Sequence, residues 1–284
     1  MTRILDRLGP IIDRYDVFIV DQWGCLHDGH AAHPGAVDAL RALRATGRPV
    51  LLVSNSGRPA APSVDILRSL GFGDDLYDGM FTAGELARVW LEAAHRAGRV
   101  GSAWSLLSPP DPSSVLGSVD IPIAPRPEEA DVLVVSGITF EAADHQDAVL
   151  RSAADRGTPL LCINPDRVSL QPDGRYALCP GTFAARYSAM GGEVRAWGKP
   201  GREIYAAALA QAPGWRRGLA IGDSLEHDIA GGAGAGLDTL LITRGIHWPE
   251  LADSPTGRPA AARLARLCAD VGVTPTYAMP VVRA

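Results

Sequence analysis

Four short apolar runs, each stopping at polar residues, set the rhythm of the chain. Val17-Phe18-Ile19-Val20 runs into Asp21, and Val50-Leu51-Leu52-Val53 runs into Ser54 and Asn55. Leu219-Ala220-Ile221 passes through Gly222 into Asp223, and Thr239-Leu240-Leu241-Ile242 stops at Thr243. Unbroken apolar runs of this length suit strands covered on both faces, as in a parallel sheet. Between the first two lies a helical pattern from Pro34 to Thr46, closed by Gly47. This β-α-β rhythm predicts a doubly wound, Rossmann-like α/β core.

The polar residues sit at the carboxyl ends of the predicted strands, the edge where open parallel sheets bind ligands. Asp21, Ser54 and Asp223 are far apart in sequence, and this topology brings them to one edge. The middle of the chain reads as a second, smaller α/β unit. Apolar runs recur at Ala103–Leu107, Val132–Val135 and Leu160–Ile163, and a helical stretch follows Phe140 to about Arg156. The predicted organisation is a core of residues 1–83 and 195–284 with an inserted domain at 84–194. Gly231-Gly232-Ala233-Gly234-Ala235-Gly236 has the wrong spacing for a nucleotide loop and lacks its lysine, so it predicts a helix packed closely on the sheet. The tail from Thr274 to Ala284 carries no readable pattern.

Composition narrows the function. At 284 residues, 46% hydrophobic and 21% charged, the chain has ample material for two cores. A net charge of −5 argues against a nucleic-acid partner, since phosphate backbones favour basic surfaces. Cys25, Cys162, Cys179 and Cys268 form no Cys-x-x-Cys pair, which predicts reduced thiols rather than zinc or a disulfide framework. Charges interrupt the apolar residues of the N-terminal segment, and no stretch approaches a membrane span. A soluble cytoplasmic protein with no membrane partner is expected.

The strand-end residues make a coherent chemical set. A carboxylate is a weak nucleophile that a metal can orient, and attack on a phosphoryl group needs charge neutralisation above all. Asp21 is the candidate carboxylate. Asp223 and Asp228 are hard oxygen ligands suited to Mg2+. Lys199, in Gly198-Lys199-Pro200, is a cation, and Ser54 with Asn55 and Ser56 supplies hydrogen-bond donors. Taken singly, these residues also read as helix caps, turn residues and a surface lysine; their order and spacing set them apart.

This pattern resembles the haloacid dehalogenase-like superfamily of aspartate-based hydrolases, and within it class IIA, which includes sugar, nucleotide, pyridoxal and phosphoglycolate phosphatases. Asp21-Gln22-Trp23-Gly24-Cys25-Leu26 matches the first motif and Val53-Ser54-Asn55-Ser56 the second. Gly198-Lys199-Pro200 matches the third, and Gly222 to Asp228 the fourth. The resemblance implies a phosphatase of a small phosphorylated metabolite, with Asp21 forming an aspartyl-phosphate and Ser54 and Lys199 as catalytic partners. Asn55 and Ser56 would bind substrate. Magnesium would be held by Asp21, Asp223 and the Trp23 backbone carbonyl, with Asp228 in support. The segment between the second and third motifs would be a cap, in which Asn164-Pro165-Asp166 and Pro180-Gly181-Thr182 are similar to stretches in such caps. A homodimer through the cap is also implied.

One departure matters. Phosphatases of this family usually carry a second Asp, which protonates the leaving group, where this chain has Trp23. An indole cannot do acid–base work at neutral pH. His27 and Asp28, in the loop that follows, are candidate substitutes. The alternative reading is a metal- and phosphate-binding sensor or interaction protein with little turnover. The remaining histidines, His30, His33, His95, His145 and His247, are expected to be structural or exposed.

Overall fold

The computed structural model describes residues 2–107, 109–251 and 260–284. All four apolar runs are strands. The chain begins with β1 (Arg3–Ile4), β2 (Val17–Val20), β3 (Val50–Ser54) and β4 (Gly79–Thr82). It continues with β5 (Ala103–Ser105), β6 (Val132–Val135), β7 (Leu160–Ile163), β8 (Val168–Leu170), β9 (Tyr176–Leu178) and β10 (Val194–Trp197). It ends with β11 (Gly218–Gly222), β12 (Asp238–Ile242) and β13 (Tyr277–Met279). The helices include α1 (Ala36–Arg44), α2 (Ala60–Ser69), α3 (Ala83–Arg96), α4 (Asp147–Arg156), α5 (Pro180–Ala189), α6 (Arg202–Leu209) and α7 (Ala230–Gly234).

The chain forms two compact units. One comprises Met1–Ser54, Val64–Phe81 and Lys199–Ala284; the other comprises Asn55–Ser63 and Thr82–Gly198. The first holds a seven-stranded sheet in the order β1-β13-β12-β11-β2-β3-β4, parallel from β1 through β3. Every residue of β2, β3 and β11 is buried, which explains why these runs lack polar alternation. β2 lies between β11 and β3, with Ile19 beside Ala220 and Leu51. That register brings the ends of three strands, and therefore Asp21, Ser54 and Asp223, to one edge. Phe18, Val20 and Leu52 join the core that α1 covers with Leu40 and Leu43.

α1 is shorter than its sequence pattern, and the chain leaves it through Gly47 at φ +71°, a conformation that costs glycine little. The glycine run forms α7, and its tight packing follows from what side chains would meet. A Cβ on Gly231 would lie 2.5 Å from the Tyr205 ring, and one on Gly232 would lie 2.6 Å from Ala220.

The second unit holds a four-stranded parallel sheet, β10-β7-β6-β5, and a small antiparallel pair, β8-β9. α4 and α5 pack against it through Leu150, Ala153, Phe183 and Tyr187. This unit takes in residues 55–63 because they bind the start of α3. Thr82 caps α3 by accepting from the Glu85 N–H, and its hydroxyl donates to the Arg58 carbonyl at 2.7 Å. The Ala60 N–H donates to Glu85 at 3.1 Å, and a Cβ on Gly84 would fall 2.3 Å from the Arg58 oxygen.

Six strands, β1, β4, β8, β9, β10 and β13, fall outside the apolar runs that predict strands. β13, in the tail that showed no pattern, sits between β12 and β1. β10 is an edge strand whose Arg195 and Ala196 are exposed, so it carries no apolar run. Among the described residues, no helix is long and apolar enough to cross a membrane.

Candidate active site

Asp21 follows β2 directly, and its N–H donates to the Ile221 carbonyl of neighbouring β11 at 2.8 Å. Asp223 follows β11. Asp228 lies one helical turn further on, and its carboxylate accepts from the Ser224 N–H at 3.1 Å. Ser224 caps that turn by accepting from the His227 N–H at 3.2 Å. All three carboxylates are buried, and one oxygen from each lies within 4.8 Å of the others. Lys199 is 3% exposed, far from the usual surface lysine, and its Nζ donates to Asp21 and, at 2.6 Å, to Asp228. Ser54 is buried at the end of β3, beside the strand that delivers Asp21.

Burial dominates the electrostatics. It raises Asp21 to about 7 against the pull of Lys199, and the Asp228 charge adds to the rise. Burial also pushes Asp223 well above the usual carboxylate range, helped by the charges of Asp21 and Asp228. Lys199 runs the other way: burial lowers it, but Asp21 and Asp228 together hold the ammonium well above its ordinary value. Three carboxylates and one ammonium sum to −2 when all are ionised. Such a cluster favours either protonation or a divalent cation. An all-oxygen donor set fits a hard ion such as magnesium.

The space around Asp223 is reserved by glycines that the sequence did not single out. A Cβ on Gly24, which sits at φ +75°, would lie 2.1 Å from Asp223 Oδ2, and one on Gly245 would lie 2.0 Å from the same atom. The Ile246 N–H donates to that oxygen at 2.6 Å. Gly24, three residues after Asp21, was within reach of sequence reasoning; Gly245 has no local signal.

The loop after Asp21 turns tightly, with the Leu26 N–H donating to the Gln22 carbonyl at 2.7 Å and the Gly24 N–H to the His27 carbonyl at 2.9 Å. Trp23 lies half-buried over Gly29, where a Cβ would strike the indole at 2.4 Å. Its ring meets the His27 ring edge-on with centroids 6.0 Å apart. His27 is buried, and its Nδ1 accepts from the Gly29 N–H at 3.0 Å. The ring proton therefore sits on Nε2, which has no partner among the described residues. Burial, with a smaller push from His33, lowers His27 to about 4. Asp28 is occupied as a turn acceptor for the His30 and Ala31 N–H groups, at 2.9 and 2.8 Å. A neutral buried imidazole and a turn carboxylate are poor stand-ins for the acid that Trp23 replaces. His247, expected to be structural, is buried and accepts from the Leu225 N–H at 3.1 Å.

His27 should make the fold acid-sensitive. The unfolded chain takes up a proton near pH 6.5, but the folded ring does so only near 4. Its contribution is complete above pH 6.5 and is lost as pH falls through that window, by roughly 2 kcal/mol at pH 5. His27→Asn keeps an acceptor for the Gly29 N–H and removes the titration. In saturating magnesium, the stability drop between pH 7 and 5 should be about 2 kcal/mol smaller in this variant. Equal drops in chemical denaturation would show that His27 is not held neutral.

Asn55 and Ser56 belong to the second unit. The Asn55 amide nitrogen donates to Asp166 at 2.7 Å, and Ser56 Oγ accepts from the Arg58 N–H at 3.2 Å.

A parallel α/β sheet with three buried aspartates and a buried lysine at its carboxyl edge defines the class as a carboxylate-based hydrolase. The chain belongs to the haloacid dehalogenase-like hydrolase family, which it matches over residues 18–106, with a further HAD-hydrolase-like match over 196–268. It is 28% identical to human glycerol-3-phosphate phosphatase over 267 residues, covering 85% of this chain and 83% of that one. A haloacid dehalogenase-like hydrolase from Brucella suis superposes with a TM-score of 0.81 at 27% identity, covering 98% of this chain and all of that one. Glycerol phosphate phosphatase from Mycobacterium tuberculosis, solved with magnesium, gives a TM-score of 0.62 at 26% identity, covering 88% of this chain and 75% of that one.

Proposed function

We propose that the protein is a cytoplasmic, magnesium-dependent phosphatase of a small phosphorylated metabolite. The observation that carries this reading is the buried cluster of Asp21, Asp223 and Asp228 with Lys199. Asp21 attacks phosphorus and forms an aspartyl-phosphate. Lys199 neutralises the transferring group, and Ser54, Asn55 and Ser56 orient its oxygens. Magnesium, held by Asp21, Asp223 and the Trp23 carbonyl with Asp228 in support, supplies further charge neutralisation there. Residues 84–194 act as a class IIA cap on a core of 1–83 and 195–284, and a homodimer forms through that cap. The four buried free thiols fit a reducing compartment.

Trp23 stands where the family's acid for the leaving group would be, and this shapes the expected substrate profile. Aryl and acyl phosphates, whose leaving groups need no proton, should react faster than alkyl phosphates by about 10²–10⁴-fold. A panel of aryl, acyl, sugar and glycerol phosphates, assayed with and without magnesium, tests both points. Glycerol phosphates belong in it because two relatives are named for them. Asp223→Asn should lose magnesium affinity by calorimetry. Equal affinity in both proteins would remove Asp223 from the site, and magnesium-independent turnover would sink the reading.

A further inference from the structure

Asp223 is held by a turn at the end of neighbouring β12, before the short helix Trp248–Leu251, and all of these residues lie in the first unit. Its Oδ2 accepts from the Ile246 N–H at 2.6 Å. The approach is possible because residue 245 is glycine: a Cβ there would lie 2.0 Å from the same oxygen. The turn is pinned on both sides. The Thr243 N–H donates to the Met279 carbonyl at 2.9 Å and the Arg244 N–H to the Pro280 carbonyl at 3.0 Å. Beyond it, the Trp248 N–H donates to the Gly245 carbonyl at 2.9 Å.

The His247 side chain ties this turn back to the chain that carries Asp223. His247 is 6% exposed, and its Nε2 accepts from the Leu225 N–H at 3.1 Å. Leu225 opens the helical turn after Asp223, where a backbone N–H has no partner within the helix. Its neighbours are satisfied locally: the Ser224 N–H donates to Asp228 at 3.1 Å and the His227 N–H to Ser224 Oγ at 3.2 Å. Glu226 Oε2 also stands 3.4 Å from His247 Nε2. That carboxylate is half-exposed and water can serve it, whereas the imidazole is the acceptor the buried Leu225 N–H has. With Nε2 accepting, the ring proton sits on Nδ1, on the side of Glu250 at 3.7 Å.

Residues 223–225 and 245–247 thus form a two-point clamp. One point is on the Asp223 carboxylate, and the other is two residues further along the same chain. Contacts outside the metal's own ligands fix which way a ligating carboxylate points, and losing them weakens metal binding. The Ile246 N–H is main chain, so it meets Asp223 only while the turn keeps its place. We propose that His247 is a positioning residue for the magnesium site. By holding Leu225 against the 245–247 turn, it fixes the Ile246 N–H and, through it, the direction of the Asp223 carboxylate. The proposal rests on the phosphatase reading, in which Asp223 holds magnesium.

The test is magnesium affinity, measured by titration calorimetry on the full-length protein at a temperature where every variant is folded. Wild type, His247→Ala, His247→Gln, His247→Asn and Asp223→Asn are compared, with melting curves of each metal-free protein. His247→Ala should weaken magnesium binding by about tenfold, the lower end of what partners of a metal ligand contribute. Gln carries an acceptor oxygen the same number of bonds from Cα as Nε2 and should bind magnesium nearly as wild type does. The Asn oxygen falls one bond short, so His247→Asn should behave like His247→Ala. If His247→Ala does not fold, the contrast between Gln and Asn decides alone. A histidine that only satisfies a buried N–H would lower the melting temperature and leave magnesium affinity unchanged. That result, or equal affinities in the Gln and Asn variants, overturns the positioning role while leaving Asp223 as a ligand. An Asp223→Asn protein that binds magnesium as wild type does removes Asp223 from the site, and His247 with it.

Discussion

Replacing Asp21 with asparagine is expected to cut turnover by at least about 10⁴-fold, the scale seen when a covalent nucleophile is removed. The change is nearly isosteric, and Lys199 retains Asp228 as a partner, so the fold should survive it. Wild type should show the converse signal. Trp23 offers no base to activate water, so hydrolysis of the aspartyl-phosphate is slowed. A good leaving group rescues formation of that intermediate, but its breakdown always expels the same Asp21 carboxylate. With an aryl phosphate and magnesium, the phosphoenzyme should therefore accumulate. Rapid quench and intact-mass measurement should find one added phosphoryl group in wild type and none in Asp21→Asn, with a burst of leaving group before a slow steady state. Fast turnover with no burst and no adduct would mean that some other residue activates water.

The convergence of Asp21, Ser54 and Asp223 was legible because three apolar runs end at those residues and a parallel sheet aligns strand ends. The depth of Lys199 was not legible, since a Gly-Lys-Pro turn says nothing about burial. It took the fold to bury its ammonium between Asp21 and Asp228. The glycines that make room for Asp223 were hidden for a related reason: a close approach between Gly245 and Asp223 spans 22 residues and leaves no periodic trace. Asn55 shows the limit of motif reading most clearly. The motif groups it with Ser54, but its side chain is held by Asp166, 111 residues away in sequence. Six strands went unread; among them β10 is a half-exposed edge, and β13 is a three-residue stretch between Pro275-Thr276 and Pro280 with no apolar run around it to mark it.

Trp23→Asp is expected to raise turnover of alkyl phosphates by about 10²–10⁴-fold, by placing an acid–base carboxylate two residues beyond the nucleophile. Aryl phosphates, which need no proton, should gain less in the first step, so the ratio of the two substrates is the diagnostic. The substitution has a structural cost. The indole covers Gly29 and meets His27 edge-on, and losing a half-buried Trp should destabilise the fold by roughly 2 kcal/mol, about half the cost of a fully buried one. Uncovering His27 should also raise its lowered pKa, which weakens the acid sensitivity described above. A fourth carboxylate makes the cluster more negative, so the variant should be assayed at saturating magnesium. Trp23→Phe is the control, because it keeps an aromatic ring over Gly29 and adds no carboxylate; it should gain nothing. If Trp23→Asp folds, binds magnesium and still leaves alkyl phosphates slow, proton transfer is not what limits this site. Trp23 would then belong to a chemistry built around the indole, and the substrate would be one whose leaving group departs unprotonated.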